Sequence, residues 1–168
     1  MMAAVKIVKI DGESIHIFSS AIYLFESSTG FTLELDMIVS EVTVKKYKNE
    51  KNLIIEVQLE DGRTISSIMY VKVLAGRLPQ LSLFCEINDP NEYPDFDRIH
   101  ENDSEFPNIE EGITLEEIRK VEMPIEKINV KLKLPIDQVE WLQEQKPADL
   151  HQFFKDVIYD YWRKQASK

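Results

Sequence analysis

The chain has 168 residues, a formal net charge of −10, 43% hydrophobic residues and a single cysteine. This length and apolar content suit one folded domain, or one with a small appendage, and exclude an intrinsically disordered chain. The lone Cys85 excludes an internal disulfide framework, and no stretch reaches the roughly 20 apolar residues that a membrane-spanning helix needs. Lys6 and Lys9 interrupt the only apolar run after Met1-Met2-Ala3-Ala4, so no secretory segment is expected and the chain reads as cytoplasmic, without a membrane partner. Asn102-Asp103-Ser104 is then not a glycosylation site, although it has the triplet.

The first 88 residues read as a series of strands. Val5 to Ile10 and Ser14 to Phe18 flank Asp11-Gly12, a two-residue hairpin signal. Ala21 to Phe25 and Phe31 to Met37 flank Ser27-Ser28-Thr29-Gly30, again turn chemistry. Val42 to Tyr47 is expected to be a further strand, followed by the polar turn Lys48 to Asn52. Leu53 to Leu59 and Ile65 to Val73 flank Asp61-Gly62, and Leu81, Leu83, Cys85 and Ile87 alternate with polar residues. Residues 1–88 are therefore expected to form an antiparallel β domain of six to eight strands, an open sheet or a partly closed barrel.

One register follows from the pattern. Leu53, Ile55, Val57, Leu59, Ile65, Met69, Val71 and Val73 all carry odd numbers. A two-residue loop at 61–62 would set odd against even and turn one apolar row outward. A three-residue loop, Glu60-Asp61-Gly62, pairs 59 with 63 and keeps both rows on one face, with Gly62 left-handed.

Residues 89–122 read as an acidic connector. Between 86 and 122 lie thirteen Asp and Glu against Arg98, Arg119 and Lys120, so almost all of the net charge belongs to this segment. Pro90, Pro94 and Pro107 and the absence of periodicity predict a long loop, with Tyr93, Phe96 and Phe106 available to pin it to the body. Thr114-Leu115-Glu116-Glu117 is a capping box that opens a short helix bearing Leu115, Ile118 and Val121.

Residues 123–168 form the best-patterned stretch: strand, helix, helix, expected to pack on the β domain. Ile128, Val130, Leu132 and Leu134 alternate with Lys127, Asn129, Lys131 and Lys133, the signature of a half-buried strand. Pro135 opens a helix carrying Ile136, Val139 and Leu142. After Lys146-Pro147-Ala148, Asp149 is expected to cap a second helix, with Gln152 at capping-box spacing. Leu150, Phe153, Phe154, Val157, Ile158, Tyr161 and Trp162 make its apolar stripe, expected to enter the core. Ile128 to Pro135 followed by two helices resembles the ribbon-helix-helix family of DNA-binding proteins. The resemblance covers about forty residues, 126–165. It implies a dimer whose paired strands read the major groove, with Asn129, Lys131 and Lys133 as the nucleic-acid contacts. Lys146-Pro147-Ala148 departs from the family's glycine-containing turn between the helices.

No catalytic constellation accompanies these elements. The acidic loop lacks the D-x-D-x-D-G spacing of a calcium loop, and His16, His100 and His151 have no partner at zinc-ligand spacing. Gly12, Gly30, Gly62, Gly76 and Gly112 build neither a phosphate cradle nor a dinucleotide fingerprint, and no serine stands in a nucleophile elbow. Cys85 lies on the apolar phase of its strand, as a core thiol does. The reading is thus an α+β protein with no catalytic, cofactor or metal residues: a non-enzymatic binding or assembly protein whose partner is protein, itself or another. The alternatives are a DNA-binding regulator using the C-terminal unit, and a small-molecule-binding β-barrel.

Overall fold

The structure is a computed structural model that describes residues 3–167; Met1, Met2 and Lys168 lie outside the described residues, and with them the first two residues of the expected leaderless start. The chain divides into two compact units, Met1–Ile125 and Glu126–Lys168.

The first unit carries β1 (Val5–Ile10), β2 (Glu13–Ile15), β3 (Ser19–Ser27), β4 (Gly30–Ile38), α1 (Glu41–Tyr47), β5 (Leu53–Leu59), β6 (Thr64–Val73), β7 (Gln80–Ile87), β8 (Asp97–His100) and α2 (Leu115–Val121). Together the strands make one eight-stranded sheet in the order β2-β1-β5-β6-β7-β4-β3-β8. Every pairing is antiparallel except that of β3 with β8, which is parallel. The sheet is open, with β2 and β8 as its edges, so the barrel alternative is not realised. It is strongly coiled nonetheless. β1 and β3 stand five positions apart, about 24 Å in a flat sheet at the usual ~4.8 Å spacing, yet they touch.

The coil encloses the main core. Val8 and Ile10 from β1, Leu24 from β3, Leu33, Leu35 and Met37 from β4, and the odd-numbered row of β5 meet Met69, Leu81 and Leu83 there. The expected register holds: Val57 pairs with Ile65 and Leu53 with Met69, odd with odd. Leu59 N–H donates to the Arg63 carbonyl at 2.8 Å across the three-residue loop, and Gly62 has φ 95°. At the first hairpin Asp11 and Gly12 are both left-handed, the combination a two-residue turn demands, and Ile10 pairs with Glu13.

Two expectations for this unit are overturned. Val42 to Tyr47 is a helix, not a strand. Ser40 accepts from the Thr43 N–H at 3.1 Å, Glu41 sits in the first turn and Lys45 and Lys46 in the last. This capping and charge pattern outweighs the strand preference of Val42, Thr43 and Val44. The acidic segment, in turn, is not one long loop. Pro90–Glu92 forms a single 3-10 turn, and β8 follows, with Phe96 and Ile99 buried. Phe96 does pin the segment into the main core, whereas Phe106 stays half-exposed, stacked on Phe25.

The opposite face of β4 is covered as well. Ile38, Leu78, Ile109 and Ile118 form a second, smaller core, to which the expected α2 contributes. Thr114 caps α2, accepting from Glu117 N–H at 3.2 Å.

The second unit consists of residues 127–134, α3 (Ile136–Glu144) and α4 (Pro147–Ala166). Trp141 of α3 meets Phe153 of α4 edge-on at 5.8 Å. The expected strand over Ile128–Leu134 is not assigned: the backbone of residues 127–134 makes no hydrogen bond among the described residues. A strand needs a ladder partner, and none is present among the described residues. α4 starts three residues earlier than expected. Pro147 takes the first turn, where its missing N–H costs nothing, and Lys146 precedes it without a side-chain cap, so Asp149 is a first-turn acid rather than the cap.

Candidate assembly and nucleic-acid interface

The second unit is unusual in what it leaves uncovered. None of residues 126–167 is buried, and only Val139, Leu142, Gln145 and Leu150 are even partly covered. The stripe expected to enter a core is instead exposed: Phe153, Phe154, Val157, Ile158, Tyr161 and Trp162 all face water to a substantial degree. The same holds for Ile128, Val130, Leu132 and Ile136.

Asn129, Lys131 and Lys133, the residues the sequence marks for nucleic-acid contact, lie in the unpaired segment and are exposed. They recur at every second position, opposite in phase to the apolar row. Neither lysine makes an ion pair within 4 Å among the described residues. Three polar side chains with free donors therefore accompany a backbone whose N–H and C=O groups are also free.

Several polar side chains of the first unit are engaged in structure. Arg63 donates to Asp61 and to Asp95, which ties the β5–β6 loop to the acidic segment and holds both carboxyls below the usual range. Arg119 of α2 forks onto Glu41 of α1 at 2.6 and 3.1 Å. Cys85 is half-buried, and burial pushes its thiol up, away from a reactive thiolate. His16 packs edge-on against Phe18, and the His100 Nδ1 accepts from the Asn102 N–H at 3.1 Å. Among the described residues no group of three His, Cys, Asp or Glu is placed to hold a metal ion. No described helix is long and apolar enough to cross a membrane.

Sequence reasoning missed one polar cluster in the first unit. The Tyr23 hydroxyl lies 3.0 Å from Glu34 Oε2 and 2.8 Å from Asp36 Oδ2, on the outer face of β3 and β4. The signal was present: Glu34 and Asp36 alternate with Leu33, Leu35 and Met37, and acids there are ordinarily read as solvated. Both are buried, and Phe106, Pro107 and Ile109 line the same cavity, a long-range meeting that no local pattern announces.

No protein-family model, curated protein or solved structure matches the chain. The class is defined by the fold itself: an α+β protein with an open, coiled eight-stranded sheet and a C-terminal unit of two helices and an unpaired segment.

Proposed function

We propose that this chain is a non-enzymatic assembly protein that pairs with a second copy of itself through the C-terminal unit. The observation that carries this reading is that the unit has no core. Ile128, Val130 and Leu132 are 81%, 67% and 64% exposed, and α4 presents two adjacent aromatic side chains, Tyr161 and Trp162, to water. A chain with so many large apolar side chains exposed in one unit invites association. At 43 residues, with none of its described residues buried, the unit is also near the size below which a domain needs a partner, a metal or disulfides to fold. Residues 128–134 are self-complementary. Two copies related by a two-fold axis pair antiparallel, giving each backbone its missing ladder and placing both apolar rows on one side, where α3 and α4 cover them. Sedimentation equilibrium on the full chain tests this: a dimer at micromolar concentration is expected. A folded monomer that persists at about 100 μM, where even a modest Kd gives association, overturns it.

A second reading is favoured by the phase of the polar residues. With the apolar row turned inward, Asn129, Lys131 and Lys133 from both copies line the outer face of a two-stranded ribbon, and the major groove of DNA admits such a ribbon. The chain is then a DNA-binding regulator. Duplex binding at low salt that weakens with a log–log slope of about 0.9 per lysine–phosphate contact, and that Lys131→Glu/Lys133→Glu abolishes, supports it. No shift of mixed-sequence duplex at low salt removes this reading and leaves assembly alone.

A further inference from the structure

The outer face of β3 and β4 carries two buried carboxylates with no neutralising cation. Glu34 is 9% exposed and Asp36 8%. Among the described residues neither makes an ion pair. Both accept from Tyr23, whose one hydroxyl proton serves two acceptors. Burial and the two carboxylates push the Tyr23 phenol far up, so it remains a donor and contributes no positive charge. Thr32 adds only a long hydroxyl contact, 3.4 Å, to Glu34 Oε1.

Two further atoms have no hydrogen-bond partner: Asp36 Oδ1 and the hydroxyl of the fully buried Ser82. These two residues are paired across β4 and β7, so their side chains rise from the same face of the sheet. A buried carboxylate oxygen without a donor costs its full desolvation, and folded proteins rarely leave one so without a ligand or role to explain it.

Asp36 and Glu34 form one wall of a cavity of about 370 Å³. The Gln80 carboxamide lines it, and Phe25 and Phe106, stacked on each other, form an apolar side. This combination of an anionic end and an aromatic wall, in a volume within the range of small-ligand pockets, is that of a binding site. A divalent ion is a poor fit, since hard cations take six or more oxygens and no group of three ligating acids or histidines is assembled among the described residues. An organic ammonium fits better. It brings positive charge and N–H donors for the carboxylates that line the cavity, and an aliphatic body to lie on Phe25 and Phe106.

We propose that this cavity binds a small aliphatic amine as its cation, with Glu34 and Asp36 as the anionic anchors and Tyr23 holding the two carboxylates in place. The competing source of positive charge is Lys72. It lines the same cavity and is joined to Asp36 through Ser82 across two strand pairings, but its ammonium lies 5.3 Å over the Phe84 ring.

Isothermal titration of the full chain with putrescine, with butanediol as the neutral analogue and calcium chloride as the metal, tests the assignment. Putrescine is expected to bind once per chain with a Kd below about 1 mM, and butanediol not at all. Asp36→Asn and Glu34→Gln, which preserve shape, are each expected to weaken putrescine at least about tenfold, the loss typical of a charge-assisted hydrogen bond. Lys72→Met is expected to leave putrescine binding intact or to tighten it. If Asp36→Asn fails to fold, Glu34→Gln and Lys72→Met carry the test. Equal binding by wild type and the carboxamide variants would mean a diffuse acidic surface, and would overturn the proposal. So would calcium binding that the same variants remove, which would make the cavity a metal site. Absence of putrescine binding in a folded wild type, with a Lys72→Met variant that melts lower, would make Lys72 the internal counter-ion and would overturn it as well.

Discussion

Val130→Asp/Leu132→Asp isolates the pairing surface from the stability of the single chain. Both side chains are largely exposed in one copy, 67% and 64%, so the substitutions remove almost nothing that the monomer uses. In a dimer they remove four apolar side chains from the seam. Full burial of a Val or Leu is worth about 1.5–3 kcal/mol; with about two-thirds of each still to be buried, pairing gains about 1–2 kcal/mol per side chain. Four such losses amount to about 4–8 kcal/mol, or about three to six orders of magnitude in the dimer Kd, before the cost of enclosing carboxylates is added. Sedimentation velocity across a concentration series reads this directly, with circular dichroism to confirm that the first unit is intact. Asn129→Asp, on the opposite row of the same segment, is the control and is expected to shift the Kd by less than about tenfold, since it stays exposed and its new charge is screened. A doubly substituted chain that dimerises as well as wild type would refute the placement of this row at the seam.

Three further outcomes follow from the first unit. Phe96→Ala is expected to cost about 3–5 kcal/mol in urea unfolding, because it empties a buried site between the sheet and the segment leading into β8, and to open residues 92–105 to limited proteolysis. Ser40→Ala is expected to cost about 1 kcal/mol through loss of the α1 cap, with Glu122 also losing the hydroxyl that donates to it. The Arg119 fork holds the Glu41 carboxyl below its ordinary value of 4.5. A carboxyl depressed on folding contributes stability that is present above its unfolded pKa and lost as pH falls through the folded one. The gap in melting temperature between wild type and Glu41→Gln is therefore expected to shrink as pH drops below about 4.5; a gap that widens in acid would contradict the ion pair.

The parts of the fold legible in the sequence are those in which one local pattern had no rival. The odd-numbered apolar row from Leu53 to Val73 allowed a single register, and Gly62 was the residue able to turn it. Thr114 and Glu117 likewise marked α2. Where two local signals competed, periodicity misled: Val42, Thr43 and Val44 spelled a strand, while Ser40 and Glu41, just before them, spelled a helix start. β8 was hidden for another reason. Four residues, Asp-Arg-Ile-His, carry too little pattern to stand out in an acidic run, and their pairing with β3 is a long-range event that no window contains. The Tyr23 cluster was hidden in the same way, since Glu34 and Asp36 stand out only once they are buried together around Tyr23. The alternation from Ile128 to Leu134 is the pattern of a strand, yet alternation alone does not supply a ladder, and none forms among the described residues.

That unpaired alternation also bears on how charge would act in an assembly. The first unit holds twenty-three of the thirty acids and twelve of the twenty bases, whereas the second holds seven acids and eight bases. Pairing through the second unit thus joins surfaces that are close to neutral, so association need not overcome the repulsion that the overall −10 suggests. Salt should then have little effect on the dimer, because the seam is apolar and the excess of acids belongs to the other unit. Nucleic-acid binding would behave in the opposite way, falling steeply with salt as the lysine row exchanges phosphate for free ions. The two readings of Asn129, Lys131 and Lys133 are therefore separated by one variable. Raising salt from about 50 to 500 mM, which shortens the screening length from about 14 to 4 Å, should leave an assembly protein paired and should release a DNA-bound one.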